Sequence, residues 1–97
     1  MNIIIKPSNK KEKKYMAIID DKKTIHFGAA VYSDMTQHKN EERKQRYIDR
    51  HSKRENWNDP KTAGFWSRWI LWEKPTLKEA VSNVNRKFKN IHVSLGR

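Results

Sequence analysis

Short apolar runs separated by polar breaks make up the first third of this chain. Asn2 to Lys6 is a short β-branched run, which predicts a strand, and Pro7-Ser8-Asn9 ends it. Tyr15 to Ile19 and Thr24 to Phe27 predict two more strands, with Asp20-Asp21-Lys22-Lys23 as the hairpin loop between them. The stretch from Gly28 to Thr36 leaves the sheet. The expectation there is an irregular connection that lays Tyr32 and Met35 on the core. Gly28 stands at a backbone position that a side chain would obstruct.

From Asn40 the period becomes helical. Asn40 is placed to cap a helix whose first turn holds Glu41 and Glu42, suited to the positive end of the helix dipole. This helix is predicted to run to about Arg54, with Tyr47, Ile48 and His51 as a narrow apolar face. The stretch from Trp57 to Leu77 holds all four tryptophans of the chain. Asp59 is expected as its N-cap and Pro60 as its first helical residue. Phe65, Trp66, Trp69 and Ile70 share one face at helical spacing, and Leu71 and Trp72 widen it. Pro75 stops this helix, and Thr76-Leu77-Lys78-Glu79 opens the next with a capping box. Leu77, Ala80, Val81, Val84 and Phe88 form its core face, Lys78, Asn85, Arg86 and Lys89 lie on or near the other side, and Asn90 ends it. Ile91, Val93 and Leu95 then alternate with polar residues as a closing strand able to join the N-terminal sheet.

The expected order is β-β-β-α-α-α-β: an α+β domain over residues 1–97, with a small antiparallel N-terminal sheet, three helices and a short C-terminal strand. Its core is expected from Phe65, Trp66, Trp69, Trp72, Leu77, Val81, Val84 and Phe88. Ninety-seven residues leave room for one core, and an apolar share of only 35% makes the aromatics its main source. With no cysteine, disulfides, zinc fingers and thiol catalysis are excluded. No apolar run approaches the length of a membrane span, and the start of the chain does not resemble a secretory signal, so neither secretion nor membrane insertion is expected.

Charge changes the picture most. Twenty-two Lys and Arg face eleven Asp and Glu, a formal net charge of +11. The bland interpretation is a solvated basic surface. A chain this small and this lopsided points instead to nucleic acid or another polyanion. On the predicted helix, Arg43, Arg46, Arg50 and Arg54 fall in a stripe about 80° wide, and Lys44 and Lys53 belong to the same helix. Guanidinium forks match phosphate oxygens, so these six residues are the candidate nucleic-acid-binding set. Glu42 and Asp49 offer partial compensation, which is what a merely solvated helix would show. The stripe lacks the Asn and Gln that commonly read adenine, so sequence-specific recognition is not expected. A lysine run, Lys10, Lys11, Lys13 and Lys14, makes a basic loop or strand end, read first as solubilising. The tryptophans, at helical spacing, are core rather than stacking platforms.

No convergent catalytic set is obvious, and no cofactor is expected. Asp34, His38, Glu55 and Asp59 are the one candidate group for a nuclease metal. Simpler roles exist for three of them: Asp59 as a helix cap, Asp34 in a turn and Glu55 paired with a nearby arginine. Gly28, Gly64 and Gly96 are isolated and form no phosphate-cradling loop, and Gly64 is expected to permit close packing.

A longer pattern runs through these residues. Phe27-Gly28, Tyr32-Ser33-Asp34, Thr36, His38-Lys39, Glu42-Arg43-Lys44, Arg46-Tyr47-Ile48, Arg50-His51, Trp57, Asp59-Pro60, Thr62 to Trp69, Leu71-Trp72 and Lys74-Pro75-Thr76-Leu77 carry it. This string resembles a family of small basic proteins encoded by large DNA viruses of algae and amoebae. Asn40 and Asn58 depart from the Asp or Thr of that pattern, and Asn40 still caps. The resemblance implies a viral setting, in a virion or an infected cell, and no catalytic residues.

Two functions follow. One is a non-enzymatic protein that binds viral nucleic acid, DNA or RNA, through phosphate contacts. The other is a virion structural protein, a minor capsid or internal component whose basic and aromatic surfaces meet an acidic capsid protein. Nothing in the sequence sets the oligomeric state.

Overall fold

A computed structural model describes residues 1–31 and 34–96; Tyr32, expected on the core, and the side chain of His38 lie outside the described residues. The fold is α+β. Its elements are β1 (Asn2–Pro7), β2 (Lys13–Ile19), β3 (Lys23–Ala29), α1 (Met35–His38), α2 (Glu41–His51), α3 (Ala63–Trp66), a π-helical turn (Ser67–Leu71), α4 (Leu77–Lys87) and β4 (His92–Leu95).

The four strands make one sheet in the order β3-β2-β1-β4. β1, β2 and β3 are antiparallel, while β4 lies parallel to β1, with Ile3 opposite Val93. Ile3, Ile5, Ala17, Ile19, Phe27 and Val93 are buried and join one core with the helical residues. Strand alternation therefore puts the inner side chains of all four strands on the same layer. The hairpin between β2 and β3 is tighter than the sequence suggests. Lys23 belongs to β3, Asp20 and Asp21 both adopt positive φ, and Lys22 N–H donates to the Ile19 carbonyl.

After β3 comes a short helix that the sequence reading missed. Asp34 caps the four-residue α1 with a full capping box, in which the Gln37 side chain returns to the cap backbone. Met35, the first residue of this helix, is buried. Asn40 then caps α2 by accepting from the N–H groups of Glu42 and Arg43.

α2 ends at His51 and not near Arg54. The Arg54 N–H folds back to the His51 carbonyl, and the chain turns so that Trp57 reaches the core. Tertiary packing of Trp57 stops the helix where no breaker residue does. The Trp57 carbonyl accepts from Trp69 Nε1 at 2.8 Å.

The tryptophan stretch is also built differently from its pattern. Asp59 does not cap a helix; its carboxylate accepts from the N–H of Lys61 in a turn. Helix α3 starts later, at Ala63, capped by Thr62, whose hydroxyl accepts from Phe65 N–H. After one turn the hydrogen bonding lengthens to the π pattern, closed by Trp72 N–H to the Ser67 carbonyl. The wider turn lets Arg68, Trp69, Ile70 and Leu71 all be buried in succession. Phe65 and Trp66 have no exposed surface, Trp69, Val81 and Val84 are buried, and Trp72, Leu77 and Phe88 pack against the core from its margin. Thr76 caps α4 by accepting from Glu79 N–H. α4 closes at Lys87, before the expected Asn90, with Phe88 N–H on the Val84 carbonyl.

Among the described residues, no helix is long and apolar enough to cross a membrane.

Candidate nucleic-acid interface

The candidate surface begins with α2. Tyr47 is the residue that α2 buries, its ring stacked parallel on Trp72 with centroids 4.5 Å apart. His51, one turn on, has its ring 4.4 Å from that of Tyr47. Burial, with the Glu55 charge adding to it, pushes the Tyr47 phenol well above its ordinary value, and Arg68 only partly opposes this. The ring is therefore neutral and serves as the anchor of α2.

With Tyr47 turned inward, Arg43, Arg46 and Arg50 are exposed. Arg46 meets Glu42 one turn back at 3.5 Å, a pair so open to solvent that it neutralises little. Arg43 and Arg50 have no carboxylate partner among the described residues.

Three members of the sequence-derived set sit elsewhere. Lys44 turns inward, four-fifths buried, with its ammonium 3.1 Å from Glu73. Arg68 Nη1 donates to the same carboxylate at 3.0 Å. Burial pushes the Glu73 carboxyl up, but hydrogen bonds from Lys44 and Arg68 and their charges outweigh this and hold it below its ordinary value of 4.5. Lys44 is therefore part of an internal ion network and not of the phosphate-facing surface. Lys53 and Arg54 are exposed but lie past the end of α2, so they do not continue the stripe.

Arg68 had no role in the sequence reading. It is buried, lies over the rings of Trp69 at 4.4 Å and Trp57 at 5.2 Å, and leaves its Nε without a partner. Its position beside Trp69 and Trp57, with Glu73 five residues later, is visible in the sequence only once the π-helical turn is known.

A cleft of about 490 Å³ opens between the exposed arginines and the sheet. Arg43, Tyr47, Arg50 and His51 of α2 form one wall, Lys13 and Lys14 of β2 with Gly28 of β3 form the second, and Ala63 and Gly64 of α3 the third. The glycines belong there. Gly28 has φ +80°, and a Cβ on it would stand 2.6 Å from Leu71 Cδ1. A Cβ on Gly64 would stand 2.7 Å from the Glu55 carboxylate.

The two carboxylates of the cleft are engaged. Asp34 forms an ion pair with Lys14 and accepts from Thr36 while capping α1. Contrary to the expected arginine pair, Glu55 accepts from Trp57 Nε1 at 2.9 Å and faces His51 Nδ1 at 3.9 Å. Asp59 is held in its own turn. Asp34, Glu55 and Asp59 thus have separate structural roles, and among the described residues no three His, Cys, Asp or Glu side chains come together as metal ligands.

A family model described as a family of unknown function, DUF5754, matches residues 3–51, which is half of the chain. The chain belongs to this family. The matched segment spans β1 to α2 and so contains two of the three walls of the cleft. No curated protein and no solved structure matches the chain.

Proposed function

We propose that this protein is a non-enzymatic binder of nucleic acid that grips phosphates through α2 with little sequence preference. The carrying observation is the set Arg43, Arg46 and Arg50, exposed along a helix anchored by Tyr47, on a chain of net charge +11. Guanidinium groups so placed meet phosphate oxygens without reorganising the fold. The one glutamine on α2, Gln45, is engaged with Asp49 at 3.0 Å, which fits contact to the backbone more than reading of bases. The resemblance to proteins of large DNA viruses would make the partner a viral genome or its transcripts. A role in virion assembly through an aromatic surface is less well supported. Trp66 and Trp69 are buried, and the exposed large apolar side chains among the described residues are Met1, Val31 and Leu95.

The test is the salt dependence of duplex DNA binding by a variant with Arg43, Arg46 and Arg50 all changed to Ala. The side chains point outward, so the fold is retained. Three lost phosphate contacts make the slope of log affinity against log salt shallower by about 2.7. Unchanged affinity and slope would remove α2 as the binding surface.

A further inference from the structure

The cleft beside α2 has a size and a charge pattern that an exposed basic helix does not need. Its volume, about 490 Å³, lies within the range of small-ligand sites. A duplex, whose major groove alone is about 12 Å wide, cannot enter it, whereas a single nucleotide can.

The wall chemistry is asymmetric. Lys14 is neutralised by Asp34, and the Glu55 carboxylate is occupied by Trp57 Nε1. Lys13, Arg43 and Arg50 remain, three cations that have no carboxylate partner among the described residues. Arg43 and Arg50 are seven residues apart on α2, about 10.5 Å along its axis, with Tyr47 between them. One wall therefore presents cation, aromatic, cation. The side chain of His51, 38% exposed, is the open member of the ring cluster backed by Tyr47 and Trp72.

We propose that this cleft takes one nucleotide of a single-stranded nucleic acid. Arg43 and Arg50 hold the phosphates on its two sides, Lys13 faces them from β2, and the base lies against His51. A free mononucleotide carries phosphate on one side only and would leave one arginine unused. Stacking on an imidazole tolerates any base, in keeping with weak sequence preference. This assignment rests on the polyanion reading above and names the form of its ligand.

Ala29 and Ala63 both line the cleft and are exposed. Ala29→Phe and Ala63→Phe place a ring in the cleft from two different walls without altering charge, so failure of one to fold leaves the other. Binding of a short oligothymidylate, its duplex with oligoadenylate, and thymidine monophosphate as competitor is measured by fluorescence anisotropy at fixed salt. The expected result is at least a tenfold loss of single-strand affinity in either variant, with duplex affinity within twofold of the parent. Unchanged single-strand affinity, or equal loss of both forms, overturns the cleft assignment while the basic helix stands. Displacement of the oligonucleotide by an equal nucleotide concentration of the monophosphate overturns the strand assignment in favour of a free nucleotide. Failure of the parent protein to bind either nucleic acid overturns this proposal together with the polyanion reading.

Discussion

The side-chain amide of Asn85 bonds to both backbone groups of Val93. Its Nδ2 donates to the Val93 carbonyl at 2.9 Å and its Oδ1 accepts from the Val93 N–H at 2.8 Å. Val93 lies on β4, an edge strand, and His92 before it and Gly96 just past the strand direct their N–H groups the other way, to Met1 and Ile5 of the β1 segment. Asn85 thus occupies the free side of β4 as a further strand would, and ties α4 to the sheet edge. Asn85→Leu removes both bonds and leaves two backbone groups unpaired. The expected cost is about 2 kcal/mol, read as a lower urea midpoint with an unchanged slope. An unchanged midpoint would show that water replaces the amide.

Glu73 sets an acid limit on the fold. In the folded state it releases its proton more readily than at its ordinary value of 4.5. The folded carboxyl thus binds fewer protons than the unfolded one, so its contribution is present above about pH 4.5 and is lost as pH falls through the folded value. Glu73→Gln should lower stability at neutral pH by about 3 kcal/mol, since Arg68 and Lys44 lose their shared partner. It should also narrow the difference in stability between about pH 6 and about pH 3. Equal acid sensitivity in parent and variant would place the limit elsewhere.

Lys44 separates internal from external charge. Lys44→Ala is expected to cost about 1 kcal/mol of stability and leave nucleic-acid affinity within about twofold, because Arg68 still holds Glu73 and no surface cation is lost. Arg43→Ala is expected to do the reverse. Side-by-side thermal melts and binding titrations of the two variants decide it, and a loss of affinity on changing Lys44 would return it to the binding surface.

Trp69→Ala tests the tryptophan segment. The ring is buried, its Nε1 bonds to the Trp57 carbonyl, and it carries the Arg68 guanidinium at 4.4 Å and the Lys87 ammonium at 5.0 Å. Truncation costs about 3–5 kcal/mol, a large share of what a domain of this size has. Circular dichroism should show a much lower melting point or no folded state at 25 °C. A melting temperature equal to the parent's would mean the segment is not what holds the sheet and helices together.

Much of the α+β architecture was legible in the sequence because its signals are local. The apolar runs Ile3–Ile5 and Tyr15–Ile19, the Asn40 and Thr76 caps and the spacing of Ala80, Val81 and Val84 each act within a few residues. The departures come from long-range packing. Trp57 has to reach Trp69, so α2 stops at His51, and the buried run Arg68 to Leu71 requires a π-helical turn that a strict 3.6-residue period does not represent. The exposed arginines were visible as a stripe. The inward turn of Lys44 was not, because Glu73 is distant in sequence. The second wall of the cleft was present in the lysine run, but only the sheet brings Lys13 opposite Arg43 and Arg50.

The parallel pairing of β1 with β4 has a consequence for synthesis. The hydrogen bonds from His92 to Met1 and from Gly96 to Ile5 join segments far apart in the chain, so β1 emerges from the ribosome well before β4. Until residues 92–95 appear, the Ile3-Ile4-Ile5 strand has one edge open, even though β2 can already occupy the other. An unpaired, isoleucine-rich edge invites another chain to pair with it. The nascent protein therefore passes through an interval in which this edge of β1 is open to self-association, and the interval closes when β4 docks.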